Sequence, residues 1–403
     1  MSVYDDDPNW GGAAILVPYR NWKTYGDMTT MTKFYPQMKK LMDYYTSKTV
    51  NHIMPGRNYS VLSDWGQETA GVNPMVPGEF TITTTYYYML NAMAEIASFL
   101  GKDVDAKGFL TQAQNTKKAF NERFYKDGVY EYGQQSEFAM PLYYGLVDQE
   151  NEELVAAKLA ERVKKDNYKI KTGEIGLKPL FMSLAKYGYN DIVYQMANQT
   201  DCPSYGYWVK QGYTTTPEYW DVGAFSQNHC MMDHIEEWFF SQLGGIRNEG
   251  NAFDVIRIEP WIPEDMDHLD VTTRSIYGNI RCHYERGVDN EMNYTFEIPA
   301  NSQANIVLPC LNHQSVFENG KDVKNGEKGV VSVEYKDGKA YLKMGSGNYT
   351  LQIKKKEATG IQEVNISRAR LNDVYYDLEG RNHGKVRPSQ KGIFIWNQKK
   401  VVL

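Results

Sequence analysis

Apolar residues recur at helical spacing through roughly the first 245 positions and then switch to strict alternation. Gly12 to Gly26 reads as a helix rich in Ala, Ile, Leu and Val, with Pro18 as a kink. Gly26-Asp27 ends it and caps the next. Met28 to about Ser47 is amphipathic through Phe34, Met38, Leu41, Met42 and Tyr45. Tyr86 to Leu100 carries Tyr86, Met89, Leu90, Met93, Ile96, Ala97 and Leu100 on helical spacing and stops at Gly101. Further helices are predicted near 106–124, 136–146, 149–165, 176–188, 189–198 and 224–243. The longer ones are apolar on more than one side, so each must be packed twice over, as in a layered ring of helical hairpins. A helical solenoid would instead show a repeat of roughly 34–47 residues, and the sequence has none.

After Leu243-Gly244-Gly245-Ile246 the period becomes two. Val255, Ile256 and Ile258 lead to Pro260; Met292, Tyr294, Phe296 and Ile298 alternate with polar residues; Tyr349, Leu351 and Ile353 do so again. Gly345-Ser346-Gly347 sits in a hairpin context with no helix after it, which excludes a phosphate-binding loop. The pattern predicts a multidomain chain, α then β: a helical domain over 1–248, an antiparallel β-sandwich over 249–356, and a small β module over 361–403 behind a linker from Lys354 to Gly360.

With 403 residues the chain is long enough for more than one core. Its net charge of −6 and dispersed basic residues exclude a nucleic-acid partner. No apolar run reaches the ~18 residues of a membrane span. Cys202, Cys230, Cys282 and Cys310 lack metal spacing and read as buried thiols, with one oxidised pair as the alternative. The acidic start lacks the basic and apolar stretches of a signal peptide, so the protein is either cytoplasmic or begins upstream of Met1.

Aromatics at 13%, including 31 Tyr, suit a stacking surface. They concentrate in Tyr205 to Trp238, where Tyr205, Tyr207, Trp208, Tyr213, Tyr219 and Trp220 are interleaved with Thr214–Thr216, Glu218, Asp221, Asn228 and His229. Rings with acids and amides between them are what a sugar needs, with its apolar C–H faces and directional hydroxyls.

The segments NWGGAAILVPYRNWKTYGD at 9–27, VLSDWG at 61–66, GEIGLKPLFMSLAKYGYNDIVYQMANQTDCPSYGYWVKQGYTTTPEYWD at 173–221, SQNHCMMDHIEEWFFSQLGGI at 226–246 and IRIEPWIP at 256–263 carry a resemblance. They are similar to the bacterial α-L-rhamnosidases of glycoside hydrolase family 78. The resemblance implies an (α/α)6 barrel, here partial, followed by a β-sandwich, and hydrolysis of terminal α-L-rhamnose with inversion and without cofactor or metal. A rhamnose-containing oligosaccharide or glycoside is the implied partner. Glu218 falls on the family's general base; Trp10, Asp64, Trp65 and His229 fall on positions lining the rhamnose pocket, and Trp220 lies beside the base as a stacking surface. Pro217 and Tyr219 depart from the residues usual around that base. The family's upstream acid segment is absent, and nine predicted helices stand where the barrel has twelve, so the expected chain is the C-terminal portion of a longer enzyme. Asp5-Asp6-Asp7 are weak substitutes for the acid. The 361–403 unit resembles modules of exported glycan-degrading enzymes, which implies a periplasmic or secreted parent. The competing readings are a non-catalytic sugar-binding remnant and another (α/α)6 enzyme, a lyase or a phosphorylase.

Overall fold

The computed structural model describes residues 7–56, 62–221, 223, 226–288, 291–355, 374–378, 381–384, 389, 393–396 and 399–402. Asp5, Asp6 and most of the expected linker, 356–360, lie outside them. Contacts gather the chain into two compact units, Met1–Lys354 and Lys355–Leu403.

The first unit opens with α1 (Pro8–Gly11), α2 (Ala13–Tyr25), α3 (Thr29–Lys48), α4 (Gly78–Phe99) and α5 (Asp103–Phe124). A short hairpin of β1 (Tyr125–Lys126) and β2 (Val129–Tyr130) leads to α6 (Gln135–Tyr144), α7 (Glu152–Lys165), α8 (Glu174–Lys186), α9 (Asn190–Ala197), α10 (Tyr205–Lys210) and α11 (Ile235–Trp238). Gly26, at φ +68°, closes α2 with its N–H on Trp22 O, and Asp27 Oδ1 accepts the Thr29 N–H of α3. Two apolar cores line the helices. One joins Ile15, Met38, Met42, Met89 and Met93; the other joins Phe80, Phe120, Phe138, Leu177, Phe181, Trp220 and Trp238. Since α4 feeds both, it is apolar nearly all round, as its sequence implies.

Two expectations are corrected here. Helix α4 starts at Gly78 and not near Tyr86. The run Thr81-Ile82-Thr83-Thr84-Thr85 favours strand locally, but it is buried, and its hydroxyls find partners in Gly78 O, Thr81 O and Asn9. Packing therefore outweighs propensity. The helix expected over 224–243 is confined to α11 and a π-turn over Phe239–Leu243, because residues 226–229 bond to the 216–218 backbone instead.

One titratable group in this region gives a stability prediction. Glu137 of α6 is fully buried; Oε2 accepts the N–H groups of Tyr132 and Gln134, and Oε1 has no hydrogen-bond partner. Burial pushes its carboxyl up to about 7, against the pull of those two hydrogen bonds. A folded-state value above the unfolded one contributes stability that is complete below about pH 4.5 and is lost as pH rises through about 7. The melting temperature should fall between about pH 5 and about pH 8. Glu137→Gln should flatten that fall by at most ~3 kcal/mol, and a pH–melting curve with unaltered slope in the variant would refute the assignment.

The strands follow: β3 (Ile246–Asn248), β4 (Val255–Ile258), β5 (His268–Ser275), β6 (Gly278–Arg286), β7 (Met292–Ile298), β8 (Gln303–Pro309), β9 (Gln314–Glu318), β10 (Lys321–Asp322), β11 (Val330–Lys336), β12 (Lys339–Met344) and β13 (Gly347–Lys355). They form two sheets, ordered β10-β9-β13-β7-β6-β5 and β11-β12-β8-β4-β3. Met292, Tyr294, Phe296 and Ile298 all point into the shared core, as do Tyr349, Leu351 and Ile353. Strands β5–β6, β6–β7 and β7–β13 pair antiparallel, as do β3–β4, β8–β12, β11–β12 and β9–β10, whereas β4 runs parallel to β8 because β5–β7 intervene between them in sequence. Gly345-Ser346-Gly347 is not a hairpin turn: it carries the chain from β12 in one sheet to β13 in the other. Cys282 and Cys310 are buried in this core, whereas Cys230 is exposed, contrary to expectation.

In the second unit, β14 (Tyr375–Asp377), β15 (Ile393–Trp396) and β16 (Lys399–Val402) form an antiparallel sheet. Asp377 accepts from Arg381 Nε and bonds His383 Nε2.

Candidate active site

The first turn of α8 is the platform of the site. Asp64, with no exposed surface, accepts Gly173 N–H and Ser136 O–H on Oδ2 and the Ile175 and Gly176 N–H groups on Oδ1. One carboxylate thus satisfies the N–H groups that a helix leaves open at its start. The approach is close: a side chain at Gly173 would strike the Trp65 and Asp64 carbonyls, and one at Gly176 would strike Ser136 and Asp64. Trp65 then bridges outward. Its carbonyl accepts Glu174 N–H at 2.8 Å, and its indole Nε1 donates to Glu218 Oε1 at 2.9 Å.

Glu218 is half-buried on a loop held by its neighbours. Its N–H donates to Ser226 O, and His229 N–H donates to Thr216 O, so the two arms of the segment lie side by side. Behind them Trp220 is wholly buried, stacked on Trp208 at 4.6 Å with its indole N–H on Thr172 O. His229 Nε2 lies 2.6 Å from Glu174 Oε1, and its Nδ1 lies 3.3 Å from Ser226 Oγ. The Glu174 side chain is 1% exposed, and no donor is aligned on that oxygen for a hydrogen bond. Burial first, then the charges of Glu218 and Asp64, push its carboxyl up to about 8.

Glu174 also lines a cavity of about 200 Å³ with Asn9, Arg20, Tyr88 and Tyr143. Arg20 stands over the Tyr88 ring and donates to Tyr143 Oη. A larger cavity of about 720 Å³, between helices and sheet around Trp261 and Glu259, lies apart from these carboxyls. Of the two acidic residues that Trp65 holds, Glu174 alone lines the smaller cavity.

The family described as bacterial alpha-L-rhamnosidase 6 hairpin glycosidase domain matches residues 2–243, and the bacterial alpha-L-rhamnosidase C-terminal domain matches residues 245–322. The chain belongs to the bacterial α-L-rhamnosidase family. An alpha-L-rhamnosidase of Formosa agariphila is 28% identical over 369 residues, covering 86% of this chain and 38% of that relative. The structure of an alpha-L-rhamnosidase from Dictyoglumus thermophilum superposes with a TM-score of 0.78 at 26% identity, over 87% of this chain and 40% of that one. A Streptomyces avermitilis alpha-L-rhamnosidase, solved with L-rhamnose, shares the fold at a TM-score of 0.76 and 22% identity, over 86% of this chain and 33% of its own. The chain thus spans less than half the length of these rhamnosidases.

Within the rhamnosidase fold, the Trp65 indole meets Glu218, and the His229 ring meets Glu174. Trp10 is half-buried on α1, next to Asn9 of the cavity wall. Two residues expected to touch sugar have no exposed surface to offer it. Asp64 spends its oxygens on four protein donors, and Trp220 has no exposed face, so both support the site from beneath. Asp7 is likewise buried, capping α1 and accepting Leu62 N–H. Glu174 is the buried carboxyl beside His229 that the sequence reading did not single out. Its signal was an acid on the same helical face as Leu177 and Phe181, both fully buried.

Proposed function

We propose that this chain acts in the hydrolysis of terminal non-reducing α-L-rhamnose from glycans or rhamnosides, with inversion at the anomeric carbon and Glu218 as the base that activates water. The observation that carries this reading is the Glu218 carboxylate, held by the Trp65 indole N–H beside His229 and Glu174, in a chain of the rhamnosidase family. Inversion needs room for a water between two carboxyls, roughly 6.5–9.5 Å. Trp65, His229 and Trp10 supply the surfaces that a rhamnose ring and its apolar C6 methyl would meet. Residues 1–248 would serve as the catalytic helical domain, 249–356 as its sandwich and 361–403 as an accessory module, in an enzyme acting in the periplasm or outside the cell.

The test is proton NMR of p-nitrophenyl α-L-rhamnoside during turnover. β-L-rhamnose should appear first and mutarotate later. The α-anomer appearing first would overturn inversion, and no rhamnose release at all would overturn the function.

A further inference from the structure

The cavity of about 720 Å³ has walls of two kinds. Asn190 at the start of α9 and Gln242 in the π-turn come from the helices. Arg247 of β3, Glu259 and Trp261 after β4, and Lys339 of β12 come from the strands. Its size falls within the ~300–1,000 Å³ of ligand pockets, which gather at junctions of this sort. Glu218, Trp65, His229 and Glu174 take no part in its lining.

The chemistry of the lining is that of a sugar site. Trp261 is half-buried at the wall and fixed by its neighbours: its ring centroid lies 5.8 Å from that of Tyr194 and 6.0 Å from that of Trp238, and its backbone N–H donates to Gln242 O. Such a ring is a platform for the apolar C–H face of a pyranose. Beside it are two loosely held amides. Asn190 Oδ1 accepts the Trp238 indole N–H at 2.8 Å, but Asn190 Nδ2 lies 3.5 Å from Gln242 Oε1, and Gln242 Nε2 lies 3.4 Å from Ser241 Oγ. Both contacts are long for such bonds, so ligand hydroxyls can replace them at little cost.

Charge then selects among sugars. Glu259 accepts from Arg247, Arg257 and Lys339 at once. Arg257 is shared with Glu249, and Lys186, also in the lining, lies against Glu152. Arg247 and Lys339 therefore outweigh the carboxylate between them, in a chain whose net charge is −6. The Lys339 side chain is 47% exposed, so it can turn to a ligand carboxylate while Glu259 keeps its two arginines.

We propose that this cavity is a second carbohydrate site, apart from Glu218, that takes a short acidic oligosaccharide with a sugar ring on Trp261 and a uronate carboxylate at Lys339 and Arg247. The site goes beyond the hydrolytic reading and does not rest on it.

Isothermal titration of the 403-residue chain with digalacturonate, cellobiose and inorganic phosphate tests it with no rhamnosyl bond to cleave. Digalacturonate should bind saturably and at least ~10-fold tighter than either of the others. Trp261→Ala should weaken it ~10-fold, Lys339→Gln ~3-fold or more with a shallower salt dependence, and Glu218→Gln not at all. No saturable binding, binding that survives both cavity variants, or binding lost in Glu218→Gln overturns the site. Phosphate binding as well as digalacturonate would reduce it to an anion patch, and cellobiose doing so would remove the role of charge; either overturns the assignment. Should Trp261→Ala misfold, Lys339→Gln decides, since unchanged digalacturonate affinity in that variant overturns the proposal. None of these outcomes touches Glu218 as the base, whose failure would show in the order of anomers instead.

Discussion

Glu218→Gln is expected to lower kcat by at least ~10²-fold while leaving KM within a small factor, because the amide matches the carboxylate in size but cannot take a proton from water. The geometry sharpens this expectation. Trp65 Nε1 donates to Glu218 Oε1, and an amide oxygen can still accept that bond, so the loop should keep its shape. The loss is then chemical and not positional. Azide, a nucleophile that needs no base, should partly restore turnover and give the inverted glycosyl azide. Near-parental kcat of the variant on an unactivated rhamnoside would remove Glu218 from the mechanism.

The architecture was legible because it rests on periodicity. Helical spacing through α2, α3 and α5–α9 and alternation in β7 and β13 each report a face that must be buried, and the structure buries those faces. Periodicity failed where local bonding replaced it. Helix α4 begins ahead of the Tyr86 that apolar spacing indicates, where Asn9 and neighbouring carbonyls take up hydroxyls of its threonine run. Residues 226–229 read as a helix start until their backbone bonds 216–218.

The site was half legible for a related reason. Residue type tells what a side chain can do, but not which neighbours have already claimed it. Trp220 and Asp64 have the right chemistry for sugar, yet one is stacked flat on Trp208 and the other is gripped by four donors. A Trp220→Ala change therefore acts on the core before it acts on KM. Glu174 shows the opposite error. An acid in the first turn reads as a routine partner for the helix dipole, and only the fold shows Asp64 already filling that place.

That exchange of roles makes Asp64 the most sensitive structural residue of the site. Asp64→Ala would strand the N–H groups of Gly173, Ile175 and Gly176 and the Ser136 hydroxyl in a region without exposed surface. Each orphaned donor costs roughly 1–3 kcal/mol, and the whole loss should be about 3–5 kcal/mol or more, a large share of the ~5–15 kcal/mol that typically holds a domain together. Urea unfolding followed by far-ultraviolet dichroism should show an earlier transition of the helical region. Asp64→Asn should fall between parent and alanine, since its amide oxygen can serve one pair of donors while its NH₂ opposes the other. Because Trp65, next in the chain to Asp64, holds the proposed base Glu218, both variants should lose turnover beyond their unfolded fraction. An alanine variant destabilised by less than ~1 kcal/mol would show that these four donors have other partners, and that α8 does not owe its position to Asp64.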